Sequence, residues 1–182
     1  MDEFLAYFGK EVGVYVSPEA LAAGILQPKP DSGDVGYNLK ALAGFRLEEL
    51  GNFDRARIGL EFEIPPQGEM LVATGLCFDI PIPPEDSLYS VYQAIVQRTG
   101  WANKGVIPGP LVVDPSYRPD DLWGLVMGIR NHSSVPRKIP PFAAVAQAIF
   151  QPVLRPKLVM ISRDQVKKTE RGPARFGGRG GA

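Results

Sequence analysis

The chain is 182 residues long, with 45% hydrophobic and 22% charged residues, enough for one core and too apolar for a disordered tail. Twenty Lys and Arg balance twenty Asp and Glu, so no global charge draws it to nucleic acid or to an anionic membrane. A single cysteine, Cys77, and a single histidine, His132, exclude an internal disulfide and a zinc site built of several imidazoles, leaving oxygen ligands for any metal.

With 20 glycines and 18 prolines the composition predicts a turn-rich, mostly β fold. In chain order, Ser17-Pro18-Glu19-Ala20-Leu21 predicts a short capped helix, with Ser17 as N-cap, Pro18 at the first helical position and Gly24 ending it. Over 56–64 the apolar Ile58, Leu60, Phe62 and Ile64 alternate with Arg57, Gly59, Glu61 and Glu63, which predicts a strand with one buried face. The apolar stretch 70–82, bounded by prolines, reads as a buried strand. Shorter runs at 91–96, 111–113, 125–129, 144–150 and 158–161 add further strands, spaced as in a sandwich, jelly roll or barrel. From residue 163 to 182 no long apolar run remains and Gly and Arg accumulate, so this segment reads as a flexible basic arm following a single β domain over 1–162. No run approaches the ~18 apolar residues of a membrane span, and Met-Asp-Glu-Phe lacks the opening pattern of a signal peptide, so a cytoplasmic location is expected.

Four segments can carry chemistry. Arg98-Thr99-Gly100, where an apolar strand meets a turn, offers guanidinium, hydroxyl and backbone donors to a phosphate, or simply ends the strand. Asp114, closing the apolar run through Val112 and Val113, stands three residues before Tyr117; this is either a general base beside an aromatic that packs on a sugar, or an Asp-Pro turn. Gln147 interrupts an otherwise apolar strand and must be hydrogen-bonded, to backbone or to a ligand. The tail, with Arg171 and Phe176, reads as a nucleic-acid contact, an arm that closes on an anion, or a solvated terminus.

The order of these segments resembles the trimeric dUTPase family. Val35-Gly36-Tyr37-Asn38-Leu39-Lys40-Ala41 looks like its first motif, and Arg98-Thr99-Gly100-Trp101-Ala102 like its second. Val112-Val113-Asp114-Pro115-Ser116-Tyr117-Arg118 is similar to the third, Ala144-Val145-Ala146-Gln147-Ala148-Ile149-Phe150 to the fourth, and Arg171-Gly172 with Phe176-Gly177-Gly178 to the fifth. The N-terminal extension over 1–27, with its capped helix and Gln27-Pro28 beyond it, also resembles the dCTP deaminases of the same fold. Aligning on Asn131, however, puts Gly128 where those enzymes carry a catalytic glutamate, which favours hydrolysis.

The resemblance implies an all-β subunit of β-clip or jelly-roll-type barrel form, a homotrimer, and hydrolysis of dUTP to dUMP and pyrophosphate with Mg2+. It implies Asp114 as the base that orients water, Tyr117 under the deoxyribose, and main-chain groups around Val112 and Val113 reading uracil. Arg98, Thr99, Gly100 and Gln147 would hold phosphates, and Arg171 and Phe176 would clamp a phosphate and stack on the base. Asn38 takes the place of the family acid that positions magnesium through water, with Asp34 and Asp31 close by in sequence. Two other readings stay open: a dCTP deaminase or other deoxynucleotide-processing enzyme of this fold, and a non-catalytic nucleotide-binding trimer.

Overall fold

A computed structural model describes residues 12–25, 35–109, 111–117, 122–160, 162 and 165. The chain opens with β1 (Gly13–Val16) and α1 (Pro18–Ala22). Ser17 caps this helix as expected: its hydroxyl accepts from the Ala20 N–H at 3.2 Å, and Gly24 follows with φ of +73°. Eleven further strands follow: β2 (Tyr37–Lys40), β3 (Ala43–Phe45), β4 (Phe62–Ile64), β5 (Glu69–Ala73), β6 (Leu76–Asp79), β7 (Tyr89–Gln97), β8 (Val106–Pro108), β9 (Leu111–Val113), β10 (Val126–Asn131), β11 (Arg137–Ile139) and β12 (Ala144–Leu154). A single helical turn, α2 (Thr99–Ala102), separates β7 from β8. Among the described residues no helix is long and apolar enough to cross a membrane.

All pairings are antiparallel. One four-stranded sheet has the order β3-β5-β10-β8 and the other β2-β12-β7-β9, with two-stranded ribbons β1-β6 and β11-β4 beside them. The all-β architecture is as expected, but these sheets do not close into the expected barrel among the described residues. Most strands span only three to six residues and stop at prolines or left-handed glycines, so each ladder stays open. All four contribute to one apolar core: Phe45, Val72 and Ile129 from one large sheet, Leu39, Ile95 and Ala146 from the other, and Ile64 and Phe78 from the ribbons. Phe45 stacks on Phe53 with centroids 4.3 Å apart, and Trp123 meets Phe45 edge-on at 5.0 Å.

Three strand expectations need correction. Over 56–64 only Phe62–Ile64 is a strand. Asp54 accepts the Ala56 N–H at 2.9 Å and starts a 3-10 turn, and Gly59 then takes φ of +70°, so the alternation seen in the sequence is not carried by extended backbone. The stretch 70–82 is two strands rather than one. Thr74 is fully buried, its hydroxyl donates to Leu125 O at 3.0 Å, and Gly75 turns the chain at φ of +66°. At 158–160 there is no strand, and Leu158 and Met160 are exposed.

One buried polar group stands out in β7. Gln93 is 1% exposed on the core side of its sheet, and its Nε2 has no hydrogen-bond partner among the described residues. Leaving a buried donor unmade costs about 1–3 kcal/mol, whereas an apolar group of the same shape has no such penalty. Gln93→Met is therefore expected to raise stability by about 1 kcal/mol, read as an upward shift of the thermal midpoint; a downward shift would mean that the amide is satisfied in solution.

Candidate active site

The sheet β2-β12-β7-β9 has one buried and one accessible face, and strand alternation decides which residues share each. Val91, Gln93 and Ile95 of β7 are buried, as are Ala146 and Ala148 of β12, while Tyr92, Ala94 and Val96 are half-buried on the other side. Residues directly opposite one another in a ladder point to the same face. Gln147 lies opposite both Val96 and Asn38, so these three sit on the accessible face. Val113 pairs with Gln93, so Asp114, the next residue, comes abreast of Tyr92 and continues the same accessible face. Every residue that the first four motifs offered as a candidate thus belongs to this one sheet or to the turns that leave it.

At one end the strand β7 runs into Arg98, whose guanidinium donates to Asn38 Oδ1. Gln147 Nε2 donates to the same oxygen at 3.3 Å. A register shift in β12 between Ala144 and Ala146 is what brings Gln147 opposite Asn38. Trp101 ties down the turn after Arg98: its Nε1 donates to Ala144 O at 3.0 Å, and its backbone N–H donates to Arg98 O at 3.1 Å. Lys104 Nζ lies 4.8 Å from the Trp101 ring centroid, adding a second cation to this end. Thr99 and Gly100 are exposed, and a Cβ added at Gly100 would meet nothing within 4 Å. The space over this turn is open to a ligand. Arg98 and Gln147 therefore converge on Asn38 from three strands, with Thr99 and Gly100 in the turn that follows Arg98.

At the other end, Asp114 lines a cavity of about 490 Å³ with Ser90, Tyr92, Val112, Val153 and Arg155. The Asp114 carboxylate is exposed, and its carbonyl accepts the Tyr117 N–H at 3.0 Å, a tight turn that returns Tyr117 beside it. Val112 is 60% exposed, whereas Val113 is buried. The strand β9 lies at the sheet edge, so main-chain groups of alternate residues on its outer side are available to a ligand. Tyr92 and Arg155 were not legible as site residues. Tyr92 reads as one more residue of an apolar strand, and Arg155 lies five residues past the apolar run 144–150; β12 continues through Pro152 to Leu154 and brings Arg155 to this cavity. The Tyr92 hydroxyl donates to Gln151 Oε1 across the same ladder.

Asp114 and Arg98 do not meet within the chain. From Tyr92, abreast of Asp114, to Arg98 is six residues of extended strand, or ~20 Å at about 3.3 Å per residue. Half-buried Ala94 and Ile149 and exposed Val112 lie between them on the same face. Arg171 and Phe176 of the arm, and Asp31 and Asp34, lie outside the described residues.

No protein-family model matches the chain. Among curated relatives, a deoxyuridine 5′-triphosphate nucleotidohydrolase of Leptothrix cholodnii is 30% identical over 129 residues, covering 69% of this chain and 78% of the relative. One from Haemophilus influenzae is 31% identical over 126 residues, covering 68% and 76%. The chain belongs to the dUTP nucleotidohydrolase (dUTPase) family. A relative from Candida albicans of the same name is 29% identical over 118 residues, covering 64% of this chain and 67% of its own length. Solved dUTPases share the fold: that of Staphylococcus bacteriophage 80alpha, determined with dUpNHpp, superposes with a TM-score of 0.65 at 16% identity over 94% of this chain and 99% of its own. The dUTPase of S. aureus phage phi11, described for its coordination of a structural Mg(II) ion, gives 0.60 at 15% identity over 85% and 98%. The relatives thus place the chain in the family that its motif order resembles, and the solved structures share its fold.

Proposed function

We propose that the face carrying Asp114 at one end and Arg98 at the other is the active site through which this chain, as a dUTP nucleotidohydrolase, converts dUTP to dUMP and pyrophosphate. What carries this reading is the separation of the two halves on one sheet face: a base-and-sugar half around Asp114 and a phosphate half around Arg98. In the first half, Asp114 accepts a proton from a water molecule as its oxygen bonds the α-phosphorus, and the bond from that phosphorus to the oxygen bridging the β-phosphate breaks to release pyrophosphate. Tyr117 packs under the deoxyribose, and the main chain of Val112 and Val113 on the edge strand reads the uracil. Arg98, Thr99, Gly100 and Gln147 hold phosphate oxygens in the second half, and Arg171 and Phe176 close over the nucleotide, excluding water from all but the attacking position.

A magnesium ion of the kind the resemblance implies would be held by the triphosphate, since the described side chains offer it no direct ligand set. Both lone-pair sites of Asn38 Oδ1 are taken, by Arg98 and Gln147, and no three His, Cys, Asp or Glu side chains converge among the described residues. The steps above therefore use only the chain's own groups.

Two halves ~20 Å apart on one subunit form a complete site when a second copy supplies the half that the first lacks at each end. A homotrimer does this three times over, and the apolar strip of Ala94, Val112 and Ile149 suits burial between copies. The test mixes two inactive variants, Arg98→Ala and Asp114→Ala, after unfolding and joint refolding. Random trimers then carry an intact pair of halves in one site of four, so pyrophosphate release from dUTP is expected at about a quarter of the wild-type rate. Absence of recovery would reject the shared site. Release from dCTP, dTTP or UTP at a comparable rate would reject the uracil-deoxyribose reading, and ammonia from dCTP would support the deaminase.

A further inference from the structure

Asn38 faces Gln147 across the β2-β12 ladder, and its Oδ1 accepts from both Gln147 Nε2 at 3.3 Å and the Arg98 guanidinium. Arg98 makes no ion pair among the described residues, and it is half-buried. Its side-chain partner among the described residues is thus a neutral amide oxygen. A neutral acceptor orients a guanidinium but leaves its charge uncompensated, whereas a carboxylate at the same place would form a two-point pair and cancel most of the field that a phosphate meets.

We propose that Asn38 is a positioning residue for Arg98: it aims the guanidinium over the sheet end, with Gln147 fixing its own orientation, and it withholds negative charge so that the site binds a polyphosphate without a metal bridge to the protein. This rests on the assignment of Arg98 to the phosphate half. The neutral triad also explains why the amide of Gln147 is turned toward Asn38: it is the second donor that keeps Oδ1 facing Arg98 rather than solvent. Trp101 supports the same geometry from the other side by pinning the turn that follows Arg98 to Ala144.

The test is calorimetric titration of the full chain with inorganic triphosphate in EDTA, at several sodium chloride concentrations, for wild type, Arg98→Ala, Asn38→Asp and Asn38→Ala. Wild type is expected to bind without metal. Asn38→Asp, nearly identical in shape, is expected to weaken binding about tenfold and to flatten the dependence of log K on log salt, as Arg98→Ala does, because each removes one positive charge from the site. Asn38→Ala is expected to weaken binding about threefold while keeping the wild-type salt slope, since Arg98 stays charged but loses its guide. Thermal melts report whether each variant is folded, and if Asn38→Asp is not, Asn38→Ala decides alone. Wild-type affinity in the folded Asn38 variants, with Arg98→Ala weakened, would overturn the role of Asn38 and leave the phosphate half intact. An Arg98→Ala variant that binds as wild type would overturn the phosphate assignment itself.

Discussion

Asp114→Asn is expected to lower pyrophosphate release from dUTP by about 10³-fold while leaving the affinity for a non-hydrolysable dUTP analogue within about threefold of wild type. The carboxylate ends an edge strand, on a tight turn closed by the Tyr117 N–H, and faces a cavity of about 490 Å³. Asparagine keeps the shape and the turn, because the turn's hydrogen bond uses the Asp114 carbonyl rather than its side chain. What is removed is the group proposed to take the water's proton. A general base contributes most to the chemical step and little to binding, so the loss belongs in kcat. Rapid-quench measurement of a single turnover checks this directly: a full-rate single turnover would show that Asp114 is no base, and a parallel loss of analogue affinity would make it a binding group instead.

The second large effect is structural. Asn131→Leu is expected to cost about 3–4 kcal/mol and to lower the thermal midpoint by about 10 °C, measured by calorimetry or circular dichroism. Asn131 is fully buried at the end of β10. Its Nδ2 donates to the carbonyls of Ile64, Pro65 and Val135 at 3.1, 3.1 and 2.8 Å. Its Oδ1 accepts from the Ser133 N–H at 3.0 Å and from the Ser133 hydroxyl at 2.7 Å. This one amide therefore holds the turn after β10 against the turn after β4, and so fixes the β11-β4 ribbon on the core. Leucine fills the volume but leaves these main-chain groups unpaired in a place water cannot reach. A loss under about 1 kcal/mol would mean that the turns hold each other without it.

The short-range features were legible because they depend on residues close in sequence. The capped helix at Ser17-Pro18 follows from a hydroxyl three residues from the N–H it accepts and a proline whose missing donor costs nothing there. The central strands appear as apolar runs because both faces of β5 and the core face of β7 are buried. The run over 56–64 misled for an equally local reason: hydrophobic alternation marks which side chains are apolar, but a left-handed Gly59 and a capped Asp54 turn override the backbone conformation it suggests.

The residues alone predict the β class, the positions of most strands, the family through the order of five motifs, and Asp114, Arg98 and Gln147 as candidate site residues. The spacing along the chain holds no information about distance across a sheet. The convergence of Asn38, Gln147 and Arg98 arises from strand pairing, since ladder register and a one-residue shift in β12 bring residues 109 and 60 positions apart onto one oxygen. The fold also brings Arg155 and Tyr92 to Asp114 and sets Asp114 and Arg98 at opposite ends of one sheet face. Side-chain period and turn chemistry are written locally, whereas pairing between distant strands is set by which burial of the common core is most complete.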